Sequence, residues 1–188
     1  MIPLVVLSGP TAVGKGTVEK ALLERHPEIW VSISATTRAP RAGEENGRDY
    51  WFISEEEFLN REKQGLFLET AVVHGLAHYG TPLQPVLDHI REQIPTLLEI
   101  DLQGARSVAK RAKELGIKVF SVFLAPPTFD SLVYRLNLRD TESPEQKARR
   151  LKTAKEEMAH EGEFDAVIVN DEVERAASAL WDLMKNLY

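Results

Sequence analysis

The chain of 188 residues contains no cysteine, which removes disulfide frameworks, thiolate nucleophiles and every cysteine-ligated zinc or iron–sulfur centre. It also lacks an excess of positive charge, because 23 Lys and Arg stand against 29 Asp and Glu for a formal net charge of −6. A protein that coats nucleic acid or an anionic membrane needs the opposite balance, so an anionic ligand must be held here by a local cluster of donors. No apolar run in the sequence approaches the roughly 18 residues of a spanning helix. Met1 to Leu7 carries no basic leader and breaks at Ser8-Gly9-Pro10, so a cytoplasmic protein with no membrane or nucleic-acid partner is expected. With 43% hydrophobic and 28% charged residues and no repeat or low-complexity tract, a single domain over 1–188 with its own core is expected.

What is present alternates. Leu4 to Leu7 is a short apolar run, and after Ser8-Gly9-Pro10 the residues Val18, Leu22 and Leu23 fall on one face of a helix that begins at Lys15. Pro95 to Asp101 and Lys118 to Leu124 predict two further buried strands, separated by a helix through Val108 and Ala112 to Gly116. Ala166-Val167-Ile168-Val169 predicts another inner strand, and Glu174 to Leu187 a closing helix with Ala177, Leu180, Leu183 and Met184 inward. Strands alternating with helices predict an α/β fold with a parallel sheet flanked by helices.

Two segments break the rhythm. Residues 34–82 are rich in Arg, Gly and aromatics, with strand-like pieces at Asp49 to Ile53 and Phe67 to Glu69 around a helix near Ser54 to Gln64, which predicts a small α+β subdomain. Residues 126–157 are polar and helical, carry Arg135, Arg139, Arg149 and Arg150, turn at Asp140 to Pro144, and read as a mobile helical lid. The core is then expected to comprise 1–33, 83–125 and 158–188.

Gly9-Pro10-Thr11-Ala12-Val13-Gly14-Lys15 lies between a strand and a helix, the context in which a glycine pattern becomes a phosphate site. Gly9 and Gly14 permit backbone geometry closed to residues with a Cβ, so successive N–H groups can face phosphate oxygens beside a helix N-terminus. Lys15 adds a full charge at the β/γ bridge of a nucleoside triphosphate. The usual loop places Ser or Thr directly after the lysine to touch magnesium, whereas here Gly16 holds that place and Thr17 follows.

Ser34-Ala35-Thr36-Thr37-Arg38-Ala39-Pro40-Arg41-Ala42-Gly43-Glu44 resembles the segment that follows the phosphate loop in guanylate kinases. The resemblance continues in order through Gly47-Arg48-Asp49-Tyr50, Phe67-Leu68-Glu69, Tyr79-Gly80-Thr81, Glu99 to Gly104, Arg135-Leu136 to Arg139 and Val169-Asn170-Asp171, essentially the full chain. It implies a P-loop kinase core with a GMP-binding subdomain and a lid, which transfers the γ-phosphoryl group of ATP reversibly to GMP in purine nucleotide metabolism. By this resemblance Gly9 to Thr17 and Asn170 bind ATP, with Asn170 near the adenine. Arg38, Arg41, Tyr50 and Tyr79 hold the GMP phosphate, and Ser34, Glu69, Thr81 and Asp101 hold the guanine. Lys15, Arg38 and the lid arginines Arg135, Arg139 and Arg150 carry the catalytic charge. Mg²⁺ is the implied cofactor, held mainly by phosphates and water with Thr17 as the candidate protein ligand.

The chemistry agrees with that implication. Arginine forks match phosphate oxygens bidentately, and tyrosine hydroxyls fill remaining lone pairs without adding charge. Guanine presents N1–H and N2–H₂ donors on its pairing edge, which suits carboxylate acceptors, whereas adenine offers an acceptor at N1. The chain departs from the family pattern at Gly16 for serine, at Thr11 and Ala12 for the commoner Ser-Gly, at Thr70 for an aromatic and at Asp140 for glycine. Gly16-Thr17 looks more like the loop of adenylate kinases, so a kinase of another monophosphate is one alternative. A non-catalytic binding module of the same fold is the other, although such modules typically lack the intact loop that Gly9, Gly14 and Lys15 keep here.

Other features read as structural. His74 and His78 lie four apart with no third metal ligand in view. Ser54 followed by Glu55-Glu56-Glu57 is a helix start. Trp30, Trp51 and Trp181 are expected to pack in the core or between subdomains rather than to stack on bases. The sequence leaves monomer and homodimer both open.

Overall fold

A computed structural model describes residues 1–73, 77–137 and 143–188. Strands β1 (Leu4–Ser8), β2 (Trp30–Val31), β7 (Thr96–Glu99), β8 (Val119–Ala125) and β9 (Ala166–Val169) form a parallel sheet in the order β2-β7-β1-β8-β9. Strands β3 (Ala35–Thr36), β4 (Trp51–Phe52), β5 (Phe67–Val73) and β6 (Ala77–Pro82) form a second, mixed sheet in the order β4-β3-β6-β5. Helices α1 (Lys15–Arg25), α2 (Glu55–Lys63), α3 (Leu83–Arg91), α4 (Leu102–Leu115), α5 (Phe129–Asn137), α6 (Pro144–Met158) and α7 (Val173–Lys185) complete the chain. Among the described residues no helix is long and apolar enough to cross a membrane.

The period of two along β1 explains why the parallel sheet is covered on both faces. Val5 and Leu7 enter a core with Val18 and Leu22 of α1 and Leu180 and Met184 of α7. Leu4 and Val6 enter the opposite core with Val86 and Ile90 of α3 and Val108 and Ala112 of α4. Leu68 of β5 belongs to this second core, so the mixed sheet is tied to the parallel one by burial. Leu132 of α5 and Ala154 of α6 likewise lie in the first core, which anchors the two arginine-bearing helices at their bases.

The mixed sheet keeps a small core of Ala35, Phe58 and Phe67, with the two phenylalanine rings stacked 4.6 Å apart. Gly80 of β6 sits against those rings, and a Cβ there would come within 3.0 Å of Phe67. The Ser54 hydroxyl accepts from the Glu57 N–H at 3.1 Å and starts α2 ahead of three glutamates, as the sequence predicts. Trp30 stacks on His89 and Trp181 on His26. Trp51 departs from expectation: it is 43% exposed on the edge strand β4, with its ring against Gly47. His74, Arg139 and Asp140 lie outside the described residues.

Candidate active site

The phosphate loop follows directly from the end of β1. Gly9 has φ +151, and a Cβ there would stand 2.3 Å from the Leu124 carbonyl oxygen of β8, so only glycine lets the chain leave the sheet at this point. Gly14 caps α1 in the left-handed region at φ 98. Ala12 is also left-handed, at φ 63, where the family pattern prefers glycine. The turn is closed by the Val13 N–H on the Pro10 carbonyl at 3.2 Å. Gly16 and Thr17 stand exposed on the first turn of α1.

Lys15 points back across this loop, donating from Nζ to the Gly9 carbonyl at 2.7 Å. Burial pushes its pKa down, and the carboxylates of Glu99, Glu157 and Asp101 act against that push. Burial raises Glu99 and Glu157 in turn. Glu157, at the end of α6, also accepts from the Thr11 N–H at 3.3 Å, so a carboxylate already touches the loop's backbone donors. Arg135 of α5 donates from Nη1 to the Val13 carbonyl and from Nη2 to the Asn170 carbonyl, both at 2.8 Å. The buried Asn170 side chain donates from Nδ2 to the same Val13 oxygen, also at 2.8 Å. Arg150 sits half-buried on α6.

The second half of the site belongs to the mixed sheet. Register places Thr36 of β3 opposite Tyr79 of β6, and the Thr36 hydroxyl accepts from the Arg38 N–H at 3.2 Å. The Arg38 guanidinium then donates from Nε to the Tyr79 hydroxyl at 3.0 Å and from its two Nη atoms to the Glu44 carboxylate at 2.8 and 2.9 Å. The Arg41 N–H donates to the same carboxylate at 2.7 Å, while the Arg41 side chain is exposed. These contacts hold Glu44 down at about 2, the Arg38 hydrogen bond being the main cause. Tyr50 meets Tyr79 edge-on, with Arg38 5.2 Å above its ring.

Beside it lies a pair of acids. Glu69 on β5 is paired in register with Thr81 on β6, and one carboxylate oxygen accepts from both the Thr81 N–H at 3.1 Å and the Thr81 hydroxyl at 2.8 Å. Burial raises its pKa, and the Thr81 hydrogen bonds oppose the rise. Asp101 caps α4, accepting from the Gly104 N–H at 2.7 Å through Oδ1. Ser34 lines a cavity of 430 Å³ with Tyr50, Glu99, Ser32 and Glu19. Burial and the nearby Glu99 raise Glu19 to about 7. Glu99 lines this cavity and also the one formed by Lys15, Gly16 and Thr17, so the loop and the Ser34 pocket adjoin.

A guanylate kinase family model matches residues 1–187. The chain belongs to the guanylate kinase family. It is 61% identical over 185 residues to the guanylate kinase of Bifidobacterium longum, covering 98% of this chain and 94% of that one. It is 54% identical over 186 residues to the guanylate kinase of Frankia casuarinae, covering 98% of each. The crystal structure of guanylate kinase from Anaplasma phagocytophilum superposes with a TM-score of 0.77 at 35% identity, covering 98% of this chain and 85% of that one.

Of the residues singled out from sequence, Arg135 and Asn170 meet on the Val13 carbonyl, Arg38, Tyr50 and Tyr79 meet on the mixed sheet and Glu69 bonds Thr81, while the Arg41 side chain is exposed. Sequence reasoning gave no role to Glu19, which lines a cavity with Glu99, or to Glu157, which accepts from the Thr11 N–H of the loop. The signal for Glu19 was a charged residue on the otherwise inward face next to Val18, four positions after Lys15. Glu44 and Glu99 stood inside recognised segments without a task, and their partners Arg38 and Lys15 supply one.

Proposed function

We propose that the chain catalyses transfer of the γ-phosphoryl group from ATP to GMP, yielding ADP and GDP. The observation that carries this reading is Glu99, which lines both the cavity at Lys15 and Thr17 of the loop and the cavity holding Ser34 and Tyr50, so the phosphate loop and the pocket beside the mixed sheet adjoin. The loop from Gly9 to Thr17 takes the ATP phosphates through backbone N–H groups, and Lys15 follows charge as it moves towards the β-phosphate. Arg38, Tyr79 and Tyr50, with Arg41 at the rim, receive the GMP phosphate in place of Glu44, whose two oxygens already show the fork what a bidentate anion looks like. Glu69 and Asp101 each commit one oxygen internally and turn the other to the guanine N1–H and N2–H₂ donors, with Thr81 and Ser34 beside them.

Arg135 and Arg150, with Arg139, neutralise the equatorial oxygens of the transferring group as the lid closes. No protein nucleophile is required, since this chemistry rests on alignment and charge. Among the described residues no group of three or more His, Asp or Glu could hold a metal. The Thr17 hydroxyl and the Glu99 carboxylate line the loop cavity, and such oxygen donors would suit Mg²⁺, which would keep phosphate oxygens and water as its main ligands with Thr17 as the candidate protein ligand. Bound Mg²⁺ supplies neutralisation of phosphate charge. In this reading residues 34–82 are the GMP-binding subdomain and 126–157 the lid of one domain.

The test is a coupled assay with ATP, Mg²⁺ and GMP, IMP, AMP or UMP as acceptor. GMP should be used best by a wide margin. Equal turnover of AMP would overturn the reading in favour of another monophosphate kinase.

A further inference from the structure

Asn170 stands at the end of β9, 1% exposed, with its backbone N–H pinned to the Ala125 carbonyl of β8 at 2.8 Å. Its side chain reaches 157 residues back along the chain to the Val13 carbonyl. A carbonyl accepts only, so the atom facing Val13 must be the amide nitrogen. We propose that Asn170 is a positioning residue for ATP, acting through the Val13–Gly14 peptide to aim the Gly14 N–H into the phosphate cradle. This rests on the reading of Gly9 to Thr17 as the ATP phosphate loop.

Among the described residues no peptide is cis, and in a planar trans peptide the C=O and the following N–H point in opposite directions. Fixing the Val13 oxygen on the Asn170 side therefore fixes the Gly14 N–H on the other. Two donors hold that oxygen, Asn170 Nδ2 and Arg135 Nη1. When Arg135 is drawn to a transferring phosphoryl group it leaves the carbonyl, and Asn170, buried and anchored to β8, stays. The approach is close: a Cβ on Gly14 would stand 2.8 Å from Asn170 Nδ2, so glycine at φ 98 is needed for the contact as well as for the turn. A contact to the adenine alone would not require any of these three features.

Asn170→Asp tests the inference, because it keeps the shape and sets an acceptor against the Val13 oxygen. Asn170→Ala serves where the buried acid prevents folding. Affinities for ATP and for inorganic tripolyphosphate, which has no base, are measured by competition, together with KM for ATP and for GMP. The expected result is a fall of about tenfold in affinity for both ATP and tripolyphosphate, the scale of one lost hydrogen bond to a charged group, with KM for GMP unchanged. Loss of ATP affinity with tripolyphosphate affinity retained would overturn the inference and leave Asn170 a base contact only. Unchanged affinity for both, or equal rises in the two KM values, would also overturn it. If wild-type protein itself fails to bind tripolyphosphate in competition with ATP, the reading of the loop falls and the inference with it.

Discussion

The two ends of the proposed site present their donors by different means. At the loop the donors are backbone groups whose directions are set by left-handed residues at Ala12 and Gly14 and by the Val13 carbonyl held from outside. At the acceptor end the donors are side chains that already have partners, since Arg38 spends its fork on Glu44 and its Nε on Tyr79. The loop's backbone directions are preset, so an incoming phosphate has to displace only the Glu157 carboxylate from the Thr11 N–H and draw Lys15 off the Gly9 carbonyl. The acceptor end is a site of exchange, where one anion must replace another of nearly the same geometry. In the proposed reading such a site is held by Glu44 without substrate, and GMP entry would require Glu44 to leave the Arg38 fork.

Substitutions that strike one end and not the other break this comparison. Lys15→Met removes the one full charge on the loop, and kcat is expected to fall by about 10³-fold or more with the circular dichroism spectrum retained. Arg38→Ala removes the fork at the other end, and kcat/KM is expected to fall about 100-fold for GMP and for IMP alike, because the phosphate contact carries no information about the base.

Smaller changes sharpen it. Glu19 lines the cavity between the two ends, and its folded-state pKa of about 7 lies above the ordinary 4.5. A raised carboxyl pKa means that the folded form keeps a proton the unfolded chain releases, so stability is full at low pH and is lost as pH rises through that window. Glu19→Gln should therefore be neutral in thermal stability near the ordinary carboxyl pKa and more stable than wild type by about 2 kcal/mol at about pH 8, after discounting for partial exposure. Ala12→Gly relieves a left-handed alanine at φ 63, and denaturant unfolding should show a gain of about 1 kcal/mol.

The two ends also differ in how far the sequence discloses them. The loop is contiguous, so Gly9, Gly14 and Lys15 with a strand before and a helix after were enough to place it. The parallel strands were readable because Leu4 to Leu7 and Val122 to Ala125 are continuous apolar runs buried on both faces. Strands β2, β3 and β4 have two residues each, too few to carry a period, and they form because β7 pairs with β2, β6 with β3 and β3 in turn with β4. The exposure of Trp51 depends on which strand ends at an edge, and composition does not record that. Glu157 on Thr11, Arg135 on Val13 and Asn170 on Val13 span well over a hundred residues, and no local pattern announces them. The acceptor pocket was legible only through the family resemblance, whose segments lie on β3, β5, β6 and the start of α4.

Selection of guanine by Glu69 and Asp101 is the central claim, and the most direct measurement is the rate of phosphorylation of GMP, IMP and AMP by wild type and by Glu69→Gln. A buried acceptor facing another acceptor loses its hydrogen bond and is repelled, so wild type should rank GMP far above IMP and IMP above AMP. In Glu69→Gln the amide turns one acceptor into a donor, and the gap between GMP and the others should narrow by at least about tenfold. A GMP, IMP and AMP ranking identical in the two proteins would contradict the assignment of the guanine pocket.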